Sequence, residues 1–354
     1  MSLQRIALTT VLFTPLLATA QSSVTLYGIA DAGVRHTRGL SAGNAASPSS
    51  TTALSSGVDN TSRFGFRGRE DLGGGLHALF NLETGLNLDA GTQVNTTKSF
   101  DRASVVGLGG GWGTVTAGRQ LNLLSDAINP VDAIGMRFAA FNPNIVTAAL
   151  SNHGLGSEYG PAGSSSGSYR LDNSVKYVGR FGPVSARAMY GFGEKAGSTA
   201  PQSSRGAGLA YAAADLTVSG AWQNFKSATG LSLDAATIGA AYRFGSVKVV
   251  ANTGRSRGDT SAGADTVQRV HSVGSTWAAT PAIDLTAAVY RVERERSGLR
   301  DDGYTRGFLI AEYKLSRRSK LYAEFDRTHW RNGYQGAANK RLATGVTAGV
   351  VHTF

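Results

Sequence analysis

The chain has no cysteine and little proline, and both shortages narrow its class. Its 354 residues include 8 Pro and no Cys, so it is not one of the small secreted modules that disulfides hold together. Beyond the amino-terminal segment, no run approaches the ~20 apolar residues that a membrane-spanning helix requires. If the chain enters a membrane, it must do so with strands, because only helices and closed barrels satisfy their backbone groups in lipid.

The first residues have the pattern of an export signal. Arg5 supplies a basic start, residues 6–17 supply a short apolar run, and Ala18, Thr19 and Ala20 form a small-residue cleavage site. A membrane anchor is the alternative, but the apolar run is too short to span a bilayer. We expect residues 1–20 to be a signal peptide and residues 21–354 to form a single domain.

Alternation of apolar and polar residues is what the chain does contain, and residues 61–86 show it most clearly. Phe64 and Phe66 alternate with Arg63 on one arm, and apolar residues alternate with polar ones up to Glu83 on the other. Since successive side chains of a strand point to opposite faces, one face is apolar and the other is charged. A soluble sandwich would bury the apolar face, whereas a membrane barrel turns it to lipid and keeps charges in a wet lumen.

Segments of this kind recur without a domain break, and short turns alternate with long polar connections. The long connections include 36–57, 121–169 and 194–204. Aromatic residues recur at segment ends, Phe225 and Trp330 among them, as in the girdles of a barrel. The sequence therefore predicts an all-β transmembrane antiparallel β-barrel of about sixteen strands, an even number. They fall near 23–34, 58–70, 75–88, 98–109, 112–120, 170–181, 184–194, 204–214, 216–226, 233–244, 246–255, 266–279, 283–295, 303–315, 319–330 and 341–354.

The charge balance is basic, with 35 Lys+Arg against 24 Asp+Glu and a net charge of +11. Nucleic-acid-binding proteins usually concentrate such charge on one face or along one helix. Here the arginines are spread through strand-like segments, which favours a basic pore wall and no nucleic-acid partner. Many loop arginines are then ordinary solvated surface charges.

Several stretches resemble the trimeric general porins of beta-proteobacterial outer membranes. They are the first strand at 23–33, the hairpin segment 62–76, the segments 112–120 and 173–177, and the terminal Phe354. The resemblance implies a homotrimer of sixteen-stranded barrels in a Gram-negative outer membrane, in contact with lipid and lipopolysaccharide. It also implies that residues 121–169 fold inward to constrict the pore, and that the barrel-assembly machinery recognises Phe354.

The same resemblance implies which residues form the eyelet, the narrowest part of the pore. Arg63, Arg102 and Arg170 fall where the wall arginines of the family lie, and Glu83 and Asp132 fall where the opposing acids lie. Strand alternation supports an inward side chain for the three arginines. The weaker candidates are Arg67, Arg119 and Asp126.

Motifs for catalysis and metal binding are missing from the sequence. The six histidines have no metal-ligand spacing, and no nucleophile elbow or phosphate loop occurs. We expect no enzyme activity, no metal and no cofactor. We predict a porin that passes small hydrophilic solutes and ions passively, with a mild anion preference. The alternatives are a solute-specific channel, a non-conducting adhesin or structural barrel, and a hydrolase that uses His153 and a loop serine.

Overall fold

The alternating segments form strands that close into one antiparallel barrel. The computed structural model describes residues 23–148, 159–161, 169–261 and 263–354. The predicted signal peptide lies outside these ranges, as do residues 149–158 and 162–168 of the predicted constriction loop. The strands are β1 (Ser23–Leu40), β2 (Ala46–Ser56), β3 (Arg63–Gly73), β4 (Leu76–Asn87), β5 (Thr92–Gln93), β6 (Ala103–Gly110), β7 (Gly113–Leu121), β8 (Arg170–Phe181), β9 (Val184–Gly191), β10 (Ser204–Ala213), β11 (Leu216–Lys226), β12 (Ser232–Phe244), β13 (Val247–Ser261), β14 (Ala264–Ala278), β15 (Ile283–Arg296), β16 (Asp302–Lys314), β17 (Ser319–Arg331) and β18 (Leu342–Thr353).

The barrel wall has sixteen strands, as predicted, because two of these labels do not add a strand to it. β1 pairs with β18 on one side, which closes the barrel, and with both β2 and β3 on the other. Ala32 lies opposite Ser56 and Ile29 lies opposite Arg63, so β2 and β3 are two halves of one wall strand interrupted at 57–62. β5 has only two residues and pairs with the end of β4.

The prediction of a long loop at 36–57 is wrong. Residues 36–57 were expected to be a long connection, but β1 continues to Leu40 and β2 returns from Ala46. The hairpin lacks the apolar alternation by which the other strands are recognised, because its returning arm is mainly serine, threonine and alanine. A strand that rises beyond the lipid has no apolar face to present, so its pattern resembles that of a loop.

The two faces of the wall differ in chemistry. Outward side chains are apolar, as shown by Val106 and Leu209, which are 63% and 62% exposed. Inward side chains include buried polar groups such as Gln223 and Asn252. Phe225 and Trp330 were expected in the outer aromatic girdles, but both are buried. Trp222 on β11 and Phe325 on β17 are exposed on the outer face. Phe225 is three residues from Trp222 and Trp330 is five residues from Phe325. Since side chains at odd spacings on a strand point to opposite faces, Phe225 and Trp330 point inward.

The long connection between β7 and β8 folds into the barrel, as predicted. It contains α1 (Leu123–Ile128), a 3-10 turn (Asn129–Val131) and α2 (Asn144–Ala148). The side chain of Asn122 caps α1 by accepting a hydrogen bond from the amide of Ser125. Buried Leu124 and Ile128 pack against one part of the inner wall, and Phe138 and Phe141 pack against another. No helix in the described ranges is long and apolar enough to cross a membrane.

Candidate functional site

A cavity with a volume of about 470 Å³ lies between the inward loop and the barrel wall. We call it the arginine cavity, because five arginines and two carboxylates, Asp59 and Asp126, line it among the residues that the structure describes. The arginines are Arg63, Arg102, Arg137, Arg170 and Arg187. Three of them, Arg63, Arg102 and Arg170, are sequence-predicted eyelet residues, and the structure brings all three together.

Glu83, the fourth predicted residue, lies beside this group and orients two of the arginines. Its Oε1 accepts a hydrogen bond from Nε of Arg102 at 2.7 Å, and its Oε2 lies 3.5 Å from Nε of Arg63. The hydroxyl of Tyr27 donates to the same carboxylate at 3.0 Å. Glu83 can sit there because β4 places it opposite Gly65, where the neighbouring strand has no side chain. The carboxylate therefore holds the guanidinium groups apart and fixes their direction.

Arg102 and Arg170 are positioned by strand ends. Arg102 immediately precedes β6, whose side chains at even positions, Val106 and Leu108, are exposed on the outer face. The alternation argument from the sequence is therefore wrong for Arg102, because it would send this side chain outward with Val106 and Leu108. Arg102 lies inward because it precedes the strand, where the chain turns it toward Glu83. Arg170 begins β8 and donates from Nε to the backbone carbonyl of Arg102 at 2.8 Å.

Tyr169 is packed among these arginines, and sequence reasoning missed it. The guanidinium carbon of Arg170 lies 4.6 Å from the centre of its ring. Burial would raise the pKa of Tyr169, but the positive charges of Arg170, Arg102 and Arg63 outweigh burial, and the pKa lies below its ordinary value. The phenol is thus a group that can become an anion inside a cationic site.

Arg187 was also missed as a site residue, although the pattern that reveals it is visible in the sequence. It alternates with Ala186 and Ala188 along β9, next to the buried Met189. Its side chain lines the arginine cavity. Its Nη1 is buried and has no hydrogen-bond partner among the residues that the structure describes.

Asp132, the fifth predicted residue, is not brought to the arginine cavity. It is 2% exposed and accepts hydrogen bonds from the hydroxyl of Tyr290 at 2.5 Å and from the amide of Met136 at 2.9 Å. Asn142 and Asn144 donate to it at 2.9 and 3.2 Å. In this position the carboxylate shapes the inward loop and ties it to β15, and it contributes no exposed charge to the cavity.

The weaker candidates occupy three different places. Arg67 is exposed and does not line the arginine cavity, and its guanidinium carbon lies 5.1 Å from the ring centre of Tyr27. Arg119 is buried and pairs with Asp172 at 2.5 Å, so it braces the wall. Asp126 lines the cavity, but it is paired with Lys176 at 2.8 Å, which offsets its charge.

Arg137, on the inward loop, forms a latch that sequence reasoning did not identify. It is bidentate to Glu312 of β16, at 2.8 and 3.1 Å, and reaches Asp59 at 2.8 Å. Burial would lower the pKa of Arg137, but Asp59 and Glu312 outweigh it and raise the pKa above its ordinary value. The loop is thus fixed to the wall by a charge that persists at every ordinary pH.

Metal binding has no candidate in the described ranges, where no three His, Cys, Asp or Glu side chains are arranged to hold an ion.

Comparison with known proteins decides the family. A model of the Gram-negative porin family matches residues 7–333, which is most of the chain. The chain belongs to the Gram-negative porin family. The predicted resemblance, the barrel fold and the location in the outer membrane are thereby confirmed.

Individual relatives point the same way. An outer membrane porin, protein 32 of Delftia acidovorans, is 34% identical over 245 residues, which are 66% of this chain and 63% of that protein. An outer membrane porin of Bordetella pertussis is 36% identical over 143 residues, 38% of this chain and 37% of that protein. The matched stretches thus span less than two thirds of either relative.

A solved structure extends the likeness over almost the whole barrel. An anion-selective porin from Comamonas acidovorans superposes with a TM-score of 0.78 and 26% identity, covering 94% of this porin and 100% of that one. A second solved structure, OmpT of Vibrio cholerae in a trimer form, has a TM-score of 0.68 at 17% identity, which shows the shared fold.

Proposed function

We propose that this porin is a passive diffusion channel for small hydrophilic solutes and ions, with a mild preference for anions. The observation that carries the proposal is the lining of the arginine cavity, where five arginines meet two carboxylates. One of those carboxylates, Asp126, is paired with Lys176, and the other, Asp59, is engaged by Arg137 and Lys320. The field of the cavity is therefore positive.

A positive field in a narrow wet passage enriches anions and repels cations, without binding either tightly. The low-dielectric wall strengthens this effect, and salt in the lumen screens it within about 8–10 Å. The anion-selective porin from Comamonas acidovorans, which shares the fold at 26% identity, supports the same preference here.

The eyelet that we propose consists of Arg63, Arg102, Arg170, Arg187 and Glu83, with Arg137 on the loop side. Asp132 is proposed to act by holding the loop in place. The nature of these groups favours transport without chemistry, since they are charges fixed around a passage and no nucleophile lies among them. We therefore propose that the protein is not an enzyme.

Assembly follows the family in our proposal. Residues 1–20 would be removed on export, leaving one barrel domain of residues 21–354. Three barrels would form a homotrimer, surrounded by outer-membrane lipid and lipopolysaccharide. Phe354 would serve the barrel-assembly machinery as a terminal signal. Its amide and carbonyl each bond to Gly28 at 3.1 Å, so the terminus also completes the closure of the wall.

Swelling of proteoliposomes tests the diffusion function directly. Proteoliposomes with the purified porin are diluted into isotonic neutral sugars of increasing size and into an anionic sugar acid. The proposal expects swelling rates that fall smoothly with solute size and do not saturate with concentration. Saturation by one solute would favour a solute-specific channel, and no swelling would favour a non-conducting barrel.

A further inference from the structure

A second cavity lies on the other side of the inward loop, with a volume of about 430 Å³. We call it the vestibule cavity. Its lining comes from the inward loop, the start of β16, the end of β17, the long connection 332–341 and the short turn between β1 and β2. Its aromatic and polar lining includes Phe141, Tyr304, Arg306, Trp330, Tyr334 and Gln335. Ala139 lines both this cavity and the arginine cavity, so the two are neighbours across one stretch of loop.

The position of this cavity follows from the topology. Trp330 lies at the end of β17 that leads into the long connection 332–341, and Asn44, in the turn between β1 and β2, lies at the same end of the barrel. In outer-membrane barrels the long connections are extracellular and the short turns are periplasmic. A solute entering from outside therefore meets the vestibule cavity before it meets the eyelet.

Aromatic rings make up one side of the vestibule cavity. Trp330 and Tyr334 are stacked, with ring centres 5.6 Å apart and planes at 12°. Tyr304 lies 4.9 Å from Trp330 and 5.1 Å from Tyr334. The three other tryptophans, at 112, 222 and 277, are 47%, 43% and 49% exposed on the outer surface, so Trp330 differs from them in facing the lumen.

Arg306 is the one charged residue among the described residues that line this cavity. Its Nε donates to the hydroxyl of Thr328 at 2.5 Å and its Nη1 donates to the carbonyl of Phe141. Its nearest carboxylate, that of Asp326, is 4.0 Å away. No hydrogen bond joins its Nη2 to a residue in the described ranges, so the edge of the guanidinium keeps an unused donor nitrogen beside the aromatic rings.

The aromatic cluster contains a hydrogen-bond donor without a partner among the described residues. Trp330 is 6% exposed, and its indole N–H is buried without an acceptor among the residues described by the structure. The side-chain oxygen of Gln335, also in the lining, is buried and unpaired as well. Buried polar groups are normally satisfied, so packing of the rings alone does not account for this arrangement.

We propose that the vestibule cavity is a binding site for planar aromatic monocarboxylates on the extracellular side of the constriction. The ring of such a solute would meet the edges of Trp330 and Tyr334, because these two rings stack on each other and the guanidinium carbon of Arg294 lies 4.1 Å from the ring centre of Tyr334. The carboxylate of the solute would accept from Arg306. A single cation suits one carboxylate, and a volume of about 430 Å³ lies in the range of small-molecule sites. A role of this site in solute uptake rests on the proposed diffusion function, whereas binding of the solute does not, because binding requires no flux.

Calorimetric titration of the folded, detergent-solubilised porin with benzoate tests the site. The two comparison solutes are cyclohexanecarboxylate, which has the charge and bulk without the flat ring, and benzamide, which has the ring without the charge. Cyclohexanecarboxylate loses the aromatic contact and benzamide loses the charge-assisted hydrogen bond to Arg306, so we expect both to bind at least about fivefold more weakly than benzoate. Equal binding of benzoate and cyclohexanecarboxylate, or no binding of benzoate, would overturn the proposal.

Variants locate the binding. Trp330→Leu and Tyr334→Leu each remove one aromatic ring from contact with the solute and should weaken benzoate binding about fivefold, while Trp277→Leu on the outer surface should leave it unchanged. Tyr334 lies in a connection outside the strands, so its variant keeps the test valid if Trp330→Leu fails to fold. Benzoate affinity that is unchanged in Tyr334→Leu contradicts the site.

Conductance in KCl separates this proposal from the proposed function. A porin that conducts KCl but does not bind benzoate disproves the aromatic site alone. A barrel that binds benzoate but does not conduct disproves the channel and leaves the site standing.

Discussion

Nη1 of Arg137, on the inward loop, lies 2.8 Å from Oδ1 of Asp59, in the wall segment between β2 and β3. The same guanidinium is bidentate to Glu312, and Lys320 contacts both carboxylates. Asp59 has no exposed side-chain surface. The latch therefore joins the inward loop to two separate parts of the wall.

Arg137→Ala should release this part of the loop. Removing one partner of a buried ion pair costs about 3–5 kcal/mol because the other charge stays buried, and here Lys320 remains to pair with the two carboxylates. We expect larger and noisier single-channel currents, with the barrel still folded. Arg255→Ala, at an exposed arginine outside both the latch and the arginine cavity, is the control, and an unchanged current in Arg137→Ala would show that the latch does not hold the constriction.

Arg187→Gln should reduce the anion preference. A unit charge about 10 Å from an ion in water contributes about 0.4 kcal/mol, or about a twofold change in local anion concentration at low salt. The zero-current potential in a salt gradient measures the change. Arg255→Gln removes an exposed arginine outside the arginine cavity and should have no effect. Equal shifts in both variants would mean that net charge, rather than the position of Arg187, sets selectivity.

Tyr169 should make the selectivity depend on pH. Its pKa is lowered by the neighbouring arginines, so its phenol ionises below the usual tyrosine value of about 10. The added negative charge offsets the arginines, and the anion preference should therefore fall as pH rises toward that value. Tyr169→Phe removes the ionisable group and should flatten this part of the profile, measured as the zero-current potential against pH. A wild-type potential that stays constant up to pH 10 contradicts the expectation.

Gly118→Ala should impair folding of the barrel near the site. Gly118 has φ of 123°, and a Cβ there would lie 2.1 Å from the carbonyl oxygen of Ser104 on β6. The pairing of β7 with β8 shifts register between Gly118 and Gln120, so the strand cannot move aside without losing that bulge. A strained backbone of this kind costs about 1–3 kcal/mol before the clash is counted.

The folded fraction, read from heat-dependent mobility on electrophoresis, measures this loss. Gly43→Ala is the control, because a Cβ at Gly43 meets only the hydroxyl of Ser41 at 3.8 Å. Equal folding of the two variants would show that the bulge adapts to a side chain.

The sequence predicts the direction of a side chain well where the residue lies on a strand with one face in lipid, and poorly elsewhere. Arg63 and Glu83 lie on wall strands with a clear outer face, so alternation predicts their inward direction correctly. The segment of β2 lies in a hairpin without an apolar face, and its strand was not predicted. Trp330 shows that an aromatic residue near a strand end is a girdle residue only when its parity is outward.

The inward loop is where prediction from sequence is weakest. Asp132 and Arg137 lie in a segment with no strand period, so no pattern indicates which of them faces the passage. Only the folded loop shows that Asp132 accepts four hydrogen bonds inside it and that Arg137 reaches the wall. Arg187, in contrast, could have been proposed from its position between two alanines on β9.

The zero-current potential of the wild-type porin in a planar bilayer under a KCl gradient tests the central claim most directly. K⁺ and Cl⁻ have nearly equal mobility in water, so the sign of the potential reports the selectivity of the passage. The arginine-lined cavity predicts ohmic conductance with a potential whose sign shows that chloride is preferred. A potential of the opposite sign, showing preference for potassium, would contradict the account.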